Sequence, residues 1–219
     1  MTEFTLYIAN KVYSSWSLRG WLACRLAGIE FDEVVIPLWR PETATEIRKH
    51  SPSGKVPALR HSDVLVWESL AIGEYLHDVF PRAELWPQDR AARAHARSIA
   101  SEMHAGFADL RRIMWMNTRK RFPGKGRTPE TLAAIERIVT LWRDTRARYG
   151  AGGPFLFGTA MNMADAMYAP VVSRFVTWEP ELPADAKAYV AAVWDHPLLR
   201  EWRRDADAES WVIEKYETA

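Results

Sequence analysis

The stretch "NKVYSSWSLRGWLA", residues 10–23, follows a short apolar run, "FTLYIA", and opens a helix. Leu18, Trp21, Leu22, Arg25 and Leu26 recur at three- and four-residue spacing, the period of an amphipathic helix. Three hydroxyls stand at its start, Ser14, Ser15 and Ser17, with Tyr13 before them and Trp16 between. One side chain is enough to cap a helix, so the others are available for other work. Upstream, Thr5 to Ile8 reads as a buried strand. Downstream, "AGIE" ends the helix with Gly28 as a left-handed cap, and "FDEVVIPL" reads as a second strand. Strand, helix, strand is a βαβ unit, which makes the two strands parallel.

The pattern continues outward. "PETATEIRKHSPSG" is polar and helical in character, and "KVPALR" and "VLVW" are two short strands joined at "HSD". "ESLAIGEYLHDVF" is a helix that Ser69 is placed to cap, with Leu70, Ile72, Tyr75, Leu76 and Val79 on its apolar side. The order is βαβ, α, ββα. "PRAELWPQD", residues 81–89, has two prolines and no period, and reads as a linker between residues 1–80 and 90–219. Beyond it Ile99, Met103, Phe107, Leu110, Ile113 and Met114 form one long helical stripe. Leu132, Ile135, Val139 and Trp142 form another. "NMADAMYAPVVSRFV" starts a third helix, and shorter ones fill the tail. The expected architecture is a small α/β domain followed by an all-α domain.

Bulk properties bound the function. The 219 residues are 48% hydrophobic, enough for such cores. With 29 basic and 28 acidic residues the net charge is +1, which argues against nucleic acid as a partner. No run of about 18 apolar residues exists, so no membrane span is expected. "MTEFTLYIAN" lacks the features of a signal peptide. A single cysteine, Cys24, cannot form an internal disulfide, and a reducing, cytoplasmic setting fits. The six histidines show no metal-ligand spacing, so no metal is expected. "RKRFPGKGR", residues 119–127, reads as a solvated basic turn.

Three local signals carry chemistry. In "GKVPAL" the proline lacks a ladder donor. The segment is either an ordinary edge strand or a cis Val56–Pro57 bond that turns Val56 outward. In the second case its free N–H and C=O can pair with an extended peptide. In "WESLAI", Glu68 and Ser69 stand at a helix N-terminus, where free N–H groups and the dipole favour a carboxylate. Glu68 adds a charge suited to an ammonium group. The pair describes an amino-acid head group, or a plain cap beside an exposed glutamate. Among the serines, one hydroxyl aimed above Val56 can donate to a thiolate and favour the charged form. Lowering a thiol pKa by two units takes about 2.7 kcal/mol. A hydrogen bond to a charged group supplies roughly 1.5–3 kcal/mol, so one such bond plus the helix dipole suffices. Redundant capping is the alternative.

In this order, a serine at the first helix, "VP" before the third strand and "ES" before the last helix resemble the thioredoxin-like domain of cytosolic glutathione transferases. The all-helical remainder resembles their C-terminal domain. "SSWSLR" is most similar to the "SSCSWR" of the zeta class, with Trp16 where that class has cysteine. "NMAD" to "APVV" resembles the family's capping box, in which Asn162 caps the helix and Asp165 reaches back to its N–H.

The resemblance implies glutathione as co-substrate, a homodimer and a role in detoxification. Ser14 matches the serine that activates the glutathione sulfur, with Ser15 the neighbouring alternative. Val56 would pair with the cysteinyl backbone beside a cis Pro57, and Glu68 and Ser69 would hold the γ-glutamyl end. Lys55 either reaches a glutathione carboxylate or is solvated. Cys24 lies away from the position where cysteine-using relatives carry their nucleophile and reads as packing. The electrophile, small and hydrophobic or anionic, would lie between the domains among Trp16, Met103, Phe107, Arg111, Met114, Trp115 and Arg174. A methionine and aromatic stripe is also what a core looks like. Two functions follow as expectations: a glutathione transferase, with zeta-like maleylacetoacetate isomerisation as a variant, or a non-catalytic glutathione- or ligand-binding module.

Overall fold

In the computed structural model, which describes residues 2–219, the apolar run Phe4–Ile8 is β1 and Ser15–Leu26 is α1. They are followed by β2 (Asp32–Val35), α2 (Thr43–His50), β3 (Ala58–His61), β4 (Val64–Trp67) and α3 (Ser69–Val79). The sheet order is β2-β1-β3-β4. β1 and β2 are parallel, with Thr5 opposite Asp32, as a βαβ unit requires. β3 runs antiparallel to both β1 and β4. The helical half comprises α4 (Arg90–Ala105), α5 (Ala108–Ile113), α6 (Pro129–Tyr149), α7 (Met163–Trp178), α8 (Ala184–Trp194) and α9 (Pro197–Ala208). The chain is therefore a mixed four-stranded domain followed by an all-helical one. Among the described residues no helix is long and apolar enough to cross a membrane.

α7 is the axis of the helical half and is buried along almost its whole length. Its first turn is held by a reciprocal cap. The Asn162 side chain accepts from the Ala164 N–H at 2.8 Å, and Asp165 accepts from the Asn162 N–H at 3.0 Å. Asp165 also takes the Leu156 N–H and the Tyr189 hydroxyl. α1 lies between the sheet and α7, and Arg19 on α1 donates Nε–H to the Met167 carbonyl at 2.9 Å. Gly20 lets this helix approach the β3 entry, since a Cβ there would come within 2.7 Å of the Pro57 ring. A second tie runs through Lys11, whose ammonium meets Glu33 at 2.7 Å and Asp205 at 3.0 Å.

Two sequence expectations need correction, and the linker segment 81–89 is more tightly packed than its sequence suggests. The long stripe beyond residue 99 is two helices. α4 ends at Gly106, Phe107 takes a left-handed φ of 59°, and the Arg111 guanidinium donates to the freed Gly106 carbonyl. The segment 81–89 is packed, with Leu85 and Trp86 buried and the Met163 N–H donating to the Leu85 carbonyl. Ser69 does not cap α3. Glu68 occupies the cap position at φ 71° without a side-chain bond to the helix, and Ser69 turns its hydroxyl inward toward the Met167 sulfur at 3.9 Å.

Candidate active site

Two clefts open at the start of α1. The larger, about 540 Å³, is bounded by Ser14 and Trp16, by Lys55, Val56 and Pro57 before β3, and by Glu68. His104 on α4 closes it from the helical half. Ser14 is the N-cap of α1. Its oxygen accepts from the Ser17 N–H, and its hydroxyl donates to the Ser17 oxygen at 2.8 Å. Ser17 in turn accepts from the Ala9 N–H at 2.9 Å, which ties the helix start to the end of β1. The first turn of α1 carries no acidic residue, so its positive dipole end is not neutralised from within.

The Val56–Pro57 bond is cis. Val56 lies outside the β3 ladder, and among the described residues its N–H and C=O have no backbone partner. Glu68, on the opposite rim, places its carboxylate 3.8 Å from His104 Nε2. Burial lowers the His104 pKa, and Glu68 opposes that shift. The His104 ring meets Trp16 edge-on at 5.2 Å. Ser69 is fully buried and lines neither cleft, so its hydroxyl stands back from the head-group position expected for it.

The smaller cleft, about 230 Å³, shares Ser14 and Trp16 with the first. Its other walls include Tyr13, Ser15, Trp39, Arg111, Trp115, Arg174 and Tyr216. Arg174 is 3% exposed and donates from Nη2 to the Ser15 oxygen at 3.1 Å. Burial, together with the nearby Arg111 charge, pulls its pKa down to about 9. The chain's last residues strap this cleft. The Tyr216 carbonyl accepts from Trp115 Nε1 at 3.0 Å and Asn117 Nδ2 at 2.9 Å. Glu217 accepts the Tyr13 hydroxyl at 2.7 Å. Burial and that bond push the Tyr13 pKa up to about 12, so its proton stays in place at neutral pH.

The structure therefore brings Ser14, Trp16, Lys55, Val56, Pro57 and Glu68 to one cleft, and Ser15, Trp16, Arg111, Trp115 and Arg174 to its neighbour. Met103 and Met114 do not belong with them: both are 0% exposed and pack in the core. Their helical spacing is that of the buried side of α4 and α5. Phe107 sits at the break between these helices, packs on the core and lines neither cleft. Cys24 is buried, and burial pushes its thiol pKa up, as for a packing residue. His104, Trp39, Tyr216 and Arg19 escaped sequence reasoning. The one usable signal was Trp39, a large aromatic in the loop that leaves a strand end.

Comparison with known proteins places this geometry. Residues 13–79 match the model of the glutathione S-transferase N-terminal domain, and residues 90–205 that of its C-terminal domain. Glutathione S-transferase 1 of Dianthus caryophyllus is 27% identical over 184 residues, covering 80% of this chain and 78% of that protein. Maleylacetoacetate isomerase of Rattus norvegicus is 27% identical over 180 residues, covering 81% and 80%. A Burkholderia glutathione transferase homolog, solved with bound glutathione, superposes with a TM-score of 0.71 at 23% identity over 94% of this chain and 99% of that one. With both halves matched in order along one chain, this protein belongs to the glutathione S-transferase family.

Proposed function

We propose that the protein binds glutathione in the larger cleft, ionises its thiol and directs it at an electrophile held in the smaller one. The observation that carries this reading is convergence. A hydroxyl at a helix N-terminus (Ser14), a free backbone edge (Val56) and a carboxylate (Glu68) face one cavity. A thiol, a peptide backbone and an ammonium group are the complementary groups that the tripeptide carries. Val56 pairs with the cysteinyl backbone, Glu68 meets the γ-glutamyl ammonium, and Lys55 reaches a carboxylate. Ser14 turns its O–H from Ser17 to the sulfur, where the bond and the helix dipole favour the thiolate. Ser15, already held by Arg174, is the alternative donor. Residues 1–80 form the glutathione-binding domain, 81–89 the packed linker and 90–219 the domain that supplies the electrophile side. The working unit is a homodimer.

Titration with glutathione, followed by thiolate absorbance in the ultraviolet against pH, tests the reading. A bound-thiol pKa well below that of the free peptide is the expected result. Binding with an unshifted pKa would make the protein a carrier or scaffold, and absence of binding would remove the glutathione assignment altogether.

A further inference from the structure

Arg111 and Arg174 line the smaller cleft and Arg19 lies beside Trp16 on its wall; among the described residues none of the three pairs with a carboxylate. Arg174 and Arg111 add to the burial that lowers the Arg19 pKa, Arg111 does the same to Arg174, and the groups that oppose these shifts are the tyrosines Tyr168 and Tyr216. Arg19 is 0% exposed, and both of its terminal nitrogens lack a partner among the described residues. Arg174, on the cleft wall, is nearly as buried and leaves its Nε unpartnered. Arg111 donates from Nη1 alone to the Met103 and Gly106 carbonyls, which orient the guanidinium without neutralising it. Buried guanidiniums without a counter-charge are costly unless an anion completes them. Trp16 stands over this cluster, with Arg19 4.4 Å and Arg111 5.6 Å from its ring centroid.

The remaining walls are flat and apolar. Trp115 and Tyr216 line the cleft with Trp39, which is 63% exposed at the mouth on a residue of φ 60°. The cleft is smaller than the roughly 300–1,000 Å³ of a drug-sized site, so it suits one ring. Aromatic walls favour a ring that can stack or meet them edge-on, and planar guanidiniums favour a planar, bidentate anion.

We infer that the second substrate is a single-ring aromatic carboxylate, its acid group held by Arg174 and Arg111 and its ring held between Trp16, Trp115 and Tyr216. This rests on the reading that the smaller cleft serves the electrophile, and it can be measured apart from turnover. The probe is 3-nitrobenzoate, with 3-nitrobenzamide as its neutral counterpart, titrated calorimetrically without glutathione. The carboxylate is expected to bind about tenfold tighter or more, the scale of a charge-assisted hydrogen bond. Arg174→Gln and, separately, Arg111→Gln are expected to bring that ratio to about one. Arg111→Gln, at a half-buried site, keeps the test decisive if Arg174→Gln does not fold. Equal or tighter binding of the amide would overturn the inference. So would competitive displacement of 3-nitrobenzoate by glutathione, because the cations would then belong to the tripeptide's own carboxylates. Failure of thiol activation leaves this binding result intact, so the two readings fail separately.

Discussion

The larger cleft takes most of its lining from residues 53–68 and the start of α1, whereas the smaller one draws on segments spread from Tyr13 to Tyr216. In the first, the groups that face the cavity are backbone groups and element ends: a helix cap, a free strand edge, a glutamate before a helix. Such features are written into short motifs, because a cap or a proline acts within a few residues. In the second, they are side chains whose neighbours are chosen by tertiary packing. Two clefts that share a wall can therefore differ in how far local sequence determines them.

The largest effect expected on that contrast concerns residues that look like cleft and are core. Met103→Ala should lower stability by about 2–5 kcal/mol, the cost of a large-to-small change in a packed interior, as read by urea unfolding. The affinity for 3-nitrobenzoate of the protein that remains folded should stay the same. A variant of full stability with weakened binding would return the methionine stripe to the cleft.

Next is α7, which carries Arg174 to the smaller cleft alone. Burial raises the Asp165 pKa from 3.8 to about 6, against the hydrogen bonds from Asn162, Leu156 and Tyr189. Between about pH 4 and 6 the folded chain holds this proton and the unfolded chain has lost it. Stability from this group is thus fully present below pH 4 and falls as pH rises through 6, by roughly 3 kcal/mol. The stability difference between wild type and Asp165→Asn should shrink across that window. A difference that is flat with pH would show that the carboxyl keeps an ordinary pKa.

The smallest effect decides which cleft owns the activating hydroxyl. Ser14→Ala should lower kcat/KM by about 10- to 100-fold, the range of one hydrogen bond to a charged sulfur, with the bound-thiol pKa rising in parallel. Ser15→Ala should cost less than about tenfold. The reverse order would move activation to the serine that Arg174 holds, and would break the division of labour between the clefts.

Much of the fold was readable because the periods were clean. The alternation of strands and helices to residue 79 follows from short apolar runs and turn residues, and the α7 cap follows from "NMAD". The break at Gly106 and Phe107 was hidden because apolar residues keep helical spacing across it, and a left-handed phenylalanine leaves no mark in the sequence. Ser69 misled for a related reason. A serine at a helix start reads as a cap, but the preceding glutamate's positive φ moves the start and turns the hydroxyl toward Met167. His104 and Tyr216 reach the clefts only because α4 and the tail fold back on the first domain, contacts that span from 36 residues to about 200.

The bond from Arg19 to the Met167 carbonyl closes a separation of 148 residues. At about 5–20 residues per second of synthesis, α1 leaves the ribosome some 7 to 30 s before the helix that covers it exists. Through that interval a guanidinium and an apolar face that end up buried stand in water without their mate. The first domain is thus born with an unfinished side, and its maturation waits on the second.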